Sequence, residues 1–514
     1  MGKQTVLITG GCGNMGWYTF QELYKRKDKF RIVLFDLFSK NNVQKALKYI
    51  GDPAVRFIWG DLTKYDDVLE AVTGADYVLH LGGMVSPKAD YFPKACLYTN
   101  TKAAENIIRA IKAQPDPDAI KTCYIGTVAQ TGERDAPIHW GRTGDPIKIS
   151  VYDHYALSKT VAERIFAESG LKYWVSLRQS GVLYPEIIKN YDPIIFHVPI
   201  NGVFEWATVE DSGRLLANLC STDLPDHFWR SFYNIGSGSD YRITNYEFEE
   251  LLLTAIGLPA PNKVFDANWF TLRNFHGQFY ADSDVLESYL HFRANKPIAQ
   301  YFSEVAGRLP GYYKLGKAAP GAAIKLMGMK RLTTQAIWGT MNWIASGNRD
   351  RITAYFGNKE AWERIGSWED FKIWRPSGFE RETSYGHHYK LDHGYPEEKE
   401  LQALTTEELQ AAAAFRGGAL LSEKYDGDPY KPLRWKSAQG HEFEMTPNLV
   451  LKGGHWCPQE LPWNPEVPDK FLWDYAAEAE RNPFFAQVWY PLHTPEENEV
   501  YTERIFRGFK GFEG

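Results

Sequence analysis

The sequence predicts an α/β fold built on a doubly wound parallel sheet, with a smaller lobe and an extra aromatic-rich C-terminal region. Two observations predict the sheet. An apolar run from Thr5 to Thr9 ends in glycines spaced Gly10-x-x-Gly13-x-x-Gly16 just before a helical stretch. A second apolar run, Arg31 to Phe35, ends in Asp36. Short apolar runs alternating with helical patterns are what strands buried on both faces of a parallel sheet require.

The glycines let the backbone turn tightly and approach a pyrophosphate, whose charge then rests on the helix N-terminus, a Rossmann-type arrangement. Asp36 lies twenty residues past Gly16. A carboxylate there accepts hydrogen bonds from an adenosine ribose and repels a 2′-phosphate, so NAD is favoured over NADP.

The remaining strands follow in order. Val55 to Trp59 reads as the third and ends at Gly60-Asp61-Leu62; Asp61 either accepts from an adenine amino group, with Leu62 on the ring, or caps the helix starting near Tyr65. Ala75 to Leu81 is the fourth, followed by Gly82, Gly83 and Met84, small residues first, which allow a close backbone approach. A helix is expected over about Asn100 to Lys112, and Lys121 to Gly126 forms a fifth strand ending at Thr127.

Length and composition bound the rest. The chain has 514 residues, which suggests about three domains. The expected division is 1–190 for the dinucleotide-binding part, 191–310 for a substrate lobe, 311–395 for an aromatic-rich extension and 396–514 for a C-terminal module. Net charge is −6 without a basic block, so nucleic acid is not an expected partner. Cys12, Cys96, Cys123, Cys220 and Cys457 lack paired spacing, which points to a reducing compartment. The first strand begins almost at once, leaving no room for a signal peptide, and no apolar stretch is long enough to span a membrane; the chain is expected to be cytoplasmic. Ten of the seventeen tryptophans lie after residue 330, where they are expected to fill a core.

Tyr155-Ala156-Leu157-Ser158-Lys159 opens a further helix. A tyrosine and a lysine four apart share one helical face, and a cation beside a phenol lowers its pKa, so Tyr155 is expected to move a proton near neutral pH. With these motifs in order, the first 300 or so residues resemble the extended short-chain dehydrogenase/reductase (epimerase/dehydratase) family. The resemblance also takes in Asn100, Thr127 with Gly132 beyond it, Arg178 to Pro185, Val209-Glu210-Asp211, and Asn234-Ile235-Gly236 with Ile243-Thr244. It departs at Gly83, where the family usually has Ala, and at Thr127, where Ser is commoner.

The resemblance implies roles. Tyr155 is the general acid/base, Lys159 bonds the nicotinamide ribose and tunes Tyr155, and Thr127 orients the substrate oxygen. The cofactor contacts are Gly10, Gly13, Asn14, Met15, Gly16, Asp36, Asp61, Leu62, Leu81, Gly82, Gly83, Tyr155, Lys159, Gly181 and Val182. Substrate contacts are expected from Met84, Thr127, Arg134, Trp140 and His197. A homodimer through the tyrosine-bearing helix is the family default. Members that dehydrate nucleotide sugars follow the hydroxyl residue with an acidic pair; here Val128 and Ala129 stand there. The reading is therefore an NAD(H)-dependent oxidoreductase interconverting an alcohol and a ketone. The alternatives are a nucleotide-sugar epimerase and an NAD-binding sensor or scaffold without turnover.

The second half carries fewer signals. Lys314 to Arg331 is basic and partly apolar, and reads as a packed helix or lid. His387, His388 and His393 cluster without nearby ligand spacing. Thr405 or Thr406 caps a helix. Ser437-x-x-Gly440-His441-x-Phe443 and Trp456-Cys457-Pro458-x-Glu460 resemble a treble-clef zinc module in which Ser437 and Glu460 replace two thiolates. The module is expected to hold no metal, since His441 and Cys457 alone remain as strong ligands.

Replacing Asp36 tests the cofactor assignment. Asp36→Ala should reduce the ratio of kcat/KM for NAD to that for NADP by about tenfold, roughly one charge-assisted hydrogen bond. A wild type that already prefers NADPH contradicts the reading of Asp36.

Overall fold

The computed structural model describes residues 2–189, 192–308, 325–382, 389–464 and 470–504. The first half alternates strands and helices: β1 Gln4–Thr9, α1 Asn14–Tyr24, β2 Phe30–Asp36, α2 Lys40–Ala46, β3 Val55–Trp59, α3 Tyr65–Val72, β4 Tyr77–His80, α4 Lys88–Tyr91, α5 Pro93–Lys112 and β5 Lys121–Thr127. Next come β6 Trp140–Gly141, α6 His154–Ala167, β7 Trp174–Gln179, β8 Gly181–Leu183, β9 Val203–Thr208, α7 Val209–Ser221, β10 Ser231–Ile235, β11 Arg242–Thr244, α8 Asn245–Ala255 and β12 Phe279–Tyr280.

Seven strands form one parallel sheet in the order β10-β7-β5-β4-β1-β2-β3. The order reverses between β1 and β4, and the crevice at such a switch point is where a doubly wound sheet binds its ligand. Strand β10 comes from beyond residue 190, so the first 190 residues do not complete the sheet. The small lobe holds the three-stranded sheet β11-β9-β8 and the pair β12-β6. Helix α5 begins at Pro93, seven residues before the expected start. Its fixed φ suits a first helical turn, where no amide partner is needed. Thr244 with Glu247 and Thr405 with Glu408 form capping boxes at the helices they open.

The C-terminal region is not a separate module. Leu409, Trp435, Leu449 and Cys457 share one core with Ile107, Ala162, Phe166 and Trp174. Phe471, Trp473 and Trp343 share another with Leu97, Ala156 and Leu157. None of the ten tryptophans after residue 330 is exposed. This wrapping leaves no residue of α6 exposed. The homodimer expected from the resemblance would use this helix, on which Tyr155, Val161, Arg164 and Ile165 are half-buried while C-terminal side chains pack on Ala156, Leu157, Ala162 and Phe166.

A buried charge cluster pins this arrangement. The Glu163 carboxylate of α6 accepts from Gln130 Nε2 (2.8 Å), Ser176 Oγ (2.6 Å), Arg178 Nε (3.0 Å) and a terminal Arg178 nitrogen (2.7 Å). His455 Nε2 lies 2.9 Å away, and it must donate because an ionised carboxylate only accepts. Burial works to raise the Glu163 pKa, but the Arg178 charge and the His455 bond outweigh it and hold the carboxyl well below its usual range. The same Arg178 donates to the Gly453 carbonyl at 2.6 Å.

Among the described residues no helix is long and apolar enough to cross a membrane. All five cysteines are free and buried. Most of Lys314 to Arg331, together with His387 and His388, lies outside the described residues. His393 is buried, with Nε2 2.9 Å from Asp145 Oδ1.

Glu163→Gln leaves Arg178 buried without its anion and should cost about 3–5 kcal/mol in chemical denaturation at pH 7. A carboxyl with a depressed native pKa contributes above its unfolded pKa, about 4.3, and loses that contribution as pH falls. The gap between wild type and variant should therefore narrow below about pH 4.3; a gap that is constant down to pH 3 excludes the ionic origin.

Candidate active site

The glycine loop lies where β1 ends. Gly10 takes φ +66°, and a Cβ there would sit 2.8 Å from the Gly82 Cα. A Cβ on Gly16 would meet the Gly10 carbonyl oxygen at 2.2 Å. These glycines are required by backbone packing. Gly13 is exposed and caps α1, with only the Gly10 oxygen, at 3.1 Å, near its absent side chain. Asn14 and Met15 open the helix, Asn14 exposed and Met15 half-buried. Thr9 ties the two strand ends together: its hydroxyl contacts His80 Nδ1 at 2.8 Å and accepts from the Leu81 and Gly82 amides.

Asp36 reaches the same loop. Its carboxylate accepts from the Cys12 amide (2.8 Å), the Leu37 amide (2.8 Å) and Asn42 Nδ2 (3.3 Å). Lys45, which sequence reasoning missed, donates to the Cys12 carbonyl at 2.6 Å; nothing in its local sequence separates it from a surface lysine. Asp61 accepts from the Thr63 amide and hydroxyl, both at 2.8 Å, while Lys64 holds the N-cap of α3. Asp61 thus shapes the turn and does not cap the helix. Leu62 packs close to Gly82. Gly181 and Val182 lie in β8, with Gly181 against the Trp206 ring. Gly83 fits against Asn100, whose Oδ1 accepts from the Met84 amide (2.7 Å) and whose Nδ2 donates to the Met84 carbonyl (2.9 Å) and to Ser158 Oγ (2.8 Å).

Thr127 closes β5, and Tyr155 and Lys159 lie in the first turns of α6, whose N-cap is Asp153. The Thr127 hydroxyl accepts from the Ala129 amide (3.2 Å) and is bonded to Tyr155. Burial raises the Tyr155 pKa, and the Thr127 bond offsets this only in part. This reverses the expected lowering. The Lys159 ammonium lies 4.5 Å from the centre of the Tyr124 ring, and burial lowers it to about 8. Desolvation penalises the charged form of each group, so the phenol rises while the ammonium falls.

A cleft with about 530 Å³ of empty space opens at the N-terminus of α6; Asp153 lines it, whereas Thr127, Tyr155 and Lys159 do not. Asp153 also acts on Tyr155. Asp90, Asp192, His276, Trp338 and Arg351 are further lining residues. His276 Nδ1 lies 2.7 Å from Asp153 Oδ2. Burial and the neighbouring Asp153 push Asp90 up to about 7. His197 lines the same cleft but is buried, 2.8 Å from the Trp338 carbonyl, and desolvation lowers it to about 4, so it is neutral. Two expected substrate contacts fall elsewhere. Arg134 is fully buried and donates to the Thr131 and Glu133 carbonyls. Trp140 is buried in β6, edge-on to Phe279 at 5.4 Å. Short polar-looking loops can be read as exposed, and here the small lobe packs over this one.

Comparison with known proteins follows the same outline. Residues 6–185 match the family model described as the NAD dependent epimerase/dehydratase family. UDP-glucose 4-epimerase of Rickettsia bellii is 31% identical over 111 residues, 21% of this chain and 32% of that protein. Mouse (Mus musculus) 3 beta-hydroxysteroid dehydrogenase type 7 is 28% identical over 165 residues, 32% of this chain and 44% of that protein. The match thus spans less than half the length of these curated relatives. A solved double mutant of the dTDP-glucose 4,6-dehydratase DesIV from Streptomyces venezuelae, with NAD bound, aligns at TM-score 0.47 and 17% identity, covering 61% of this chain and 99% of that one.

The glycines separate two effects. Gly16→Ala should lower stability by about 1–3 kcal/mol through overpacking and weaken NAD binding. Gly13→Ala should leave the melting temperature within about 2 °C, a near-neutral change for a chain of this size, while still weakening binding in calorimetry. Equal melting losses in both would contradict the assignment of Gly13 to the ligand face.

Proposed function

We propose that the chain is an NAD(H)-dependent oxidoreductase that interconverts an alcohol and a ketone on a substrate without a phosphate group. The observation that supports it is that Thr127, at the carboxyl end of β5, lies by Tyr155 of α6, with Lys159 one turn further along that helix, in the sheet whose β1 ends in the glycine loop. The loop suits a dinucleotide: Gly10 and Gly16 let the backbone pack tightly where a side chain would clash, and Gly13 presents bare backbone to solvent. NAD bound there supplies the hydride acceptor or donor.

The protein's own part is proton transfer and positioning. Tyr155 holds its proton at neutral pH, the form that donates to a developing alkoxide when a ketone is reduced. Thr127 shares the Tyr155 hydrogen bond and can bring a substrate oxygen to the same hydroxyl. In this reading Lys159, four residues along the same helical face, bonds a ribose of the dinucleotide.

The cleft favours this reading over the nucleotide-sugar epimerase. Its lining includes Asp90, Asp153 and Asp192, and its arginine, Arg351, lies 3.5 Å from Glu503 and 3.7 Å from the centre of the Tyr152 ring. Three carboxyl groups against one engaged guanidinium do not suit a diphosphate. The match to a steroid dehydrogenase agrees with an uncharged alcohol or ketone. The buried Val128 and Ala129 after Thr127 supply no acid pair for dehydration.

A panel of alcohols and ketones assayed with NAD and NADH tests the proposal. Tyr155→Phe should reduce kcat by about 10²–10⁴-fold, the usual contribution of a positioned acid or base, with NAD affinity retained. Epimerisation of a UDP-sugar on tightly held NAD, without net NADH, would replace the proposal by its alternative.

A further inference from the structure

The C-terminal region brings together a set of donors that the reaction does not use. Two tight turns present them. In the first, β13 Leu433–Lys436 and β14 Glu442–Met445 pair as a hairpin. Its tip is closed by hydrogen bonds from the Ser437 amide to the His441 carbonyl (2.9 Å) and from the Gly440 amide to the Ser437 carbonyl (3.0 Å). This sets Ser437 and His441 side by side. In the second, the Glu460 amide donates to the Cys457 carbonyl (3.2 Å) across a single turn of 3₁₀ helix, Pro458–Glu460. This sets Cys457 and Glu460 side by side.

The two turns face each other. Donor atoms of His441, Cys457 and Glu460 all lie within 4.8 Å of one another, and His441 Nδ1 is 3.3 Å from Glu460 Oε1. Around a tetrahedral ion with bonds of 2.0–2.3 Å, ligand atoms are about 3.3–3.8 Å apart. The set is therefore within about an ångström of coordination geometry. Nor are these solvated surface acids: the Glu460 side chain is 6% exposed and Cys457 is 3% exposed.

Ser437 supplies an independent observation. It is 4% exposed, and its hydroxyl finds no hydrogen-bond partner among the described residues. That hydroxyl lies beside the Cys457 thiol. A buried, unpartnered hydroxyl costs free energy unless something occupies the space it faces. Cys457 and Glu460 also line a cleft with about 1220 Å³ of empty space, which provides a path for entry.

We propose that His441, Cys457 and Glu460 bind one divalent ion of the zinc class, with the Ser437 hydroxyl turned to the fourth corner. The mixed nitrogen, sulfur and carboxylate set suits zinc and disfavours magnesium or calcium, which take oxygen ligands. Cys457 binds as thiolate and releases its proton to solvent. The Ser437 oxygen either meets the ion or holds the water that does. This reverses the expectation from the sequence that the two replaced thiolates leave the module empty: Glu460 replaces a thiolate with a carboxylate, itself a zinc ligand. The ion would clamp the hairpin to the turn that follows His455, and so to the Glu163 cluster on α6.

The test uses the full-length protein, stripped with a chelator and titrated with cobalt(II) under reducing conditions. Wild type should develop the visible bands of a four-coordinate cobalt site and a near-ultraviolet thiolate charge-transfer band, saturating at one ion per chain and bleached by zinc. Cys457→Ser should abolish the charge-transfer band, and Glu460→Gln and His441→Ala should each weaken affinity at least tenfold. The His441 side chain is 39% exposed, so its removal leaves the core in place. A double variant, Ser437→Cys with Glu460→Cys, is the positive control and should bind more tightly. If the double variant shows the bands and wild type does not, the site is a relic and the proposal fails. It fails equally if neither binds, or if the Cys457→Ser protein keeps the charge-transfer band.

Discussion

The Glu163 carboxylate is the point through which the rest of the structure is held. It lies two helical turns beyond Tyr155 and one beyond Lys159 on α6, so whatever fixes Glu163 also fixes the rotation of the face that carries them. Its partners come from β7, from the turn after β5, and from the C-terminal region 292 residues away. An ionised carboxylate in the interior is tolerable only when its acceptor sites are filled. Here five donors fill them, and three separate stretches of chain have to arrive together for that to happen.

The wrapping of α6 has a chemical consequence. With no exposed residue on the helix, Lys159 is buried and Tyr155 half-buried. The phenol is pushed up and the ammonium down, both toward their neutral forms. Added charge near either group therefore acts in a medium where it is poorly screened. The C-terminal residues pack on Ala156, Leu157 and Phe166, neighbours of Tyr155 and Lys159 along α6. The same covering also encloses the aromatic stack of Tyr124 and Phe166, 4.7 Å apart, against which Lys159 rests.

The small lobe and the segment around Trp338 to Tyr355 complete the cleft in a similar way. His197 is packed between Trp343 and the Trp338 carbonyl, and Tyr91 bonds to Asp192 at 3.0 Å across 101 residues. Its carboxyl groups are thus gathered from α4, the N-cap of α6 and the loop before residue 193. Burial, with the Asp153 charge beside it, pushes Asp90 up to about 7.

The sequence by itself determined what depends on local spacing. A strand, three glycines and a helix in that order specify a tight turn where β1 meets α1. Tyr155 and Lys159 share a face because a helix repeats every 3.6 residues. Thr405 and Glu408 close a capping box within four residues. Asp36 could be read for the same reason, since it follows its own strand. The tertiary structure alone decided what depends on chain segments meeting. Arg134 and Trp140 look like loop residues but are buried, because the small lobe closes over them. Tyr155 was expected to lose its proton readily, and burial within the packed chain works the other way. His455 and Glu163, or His441 and Glu460, have no local pattern that announces their pairing. Such contacts are set by which folded surfaces fit together, and that fit is a property of the whole packed chain, not of any window along it.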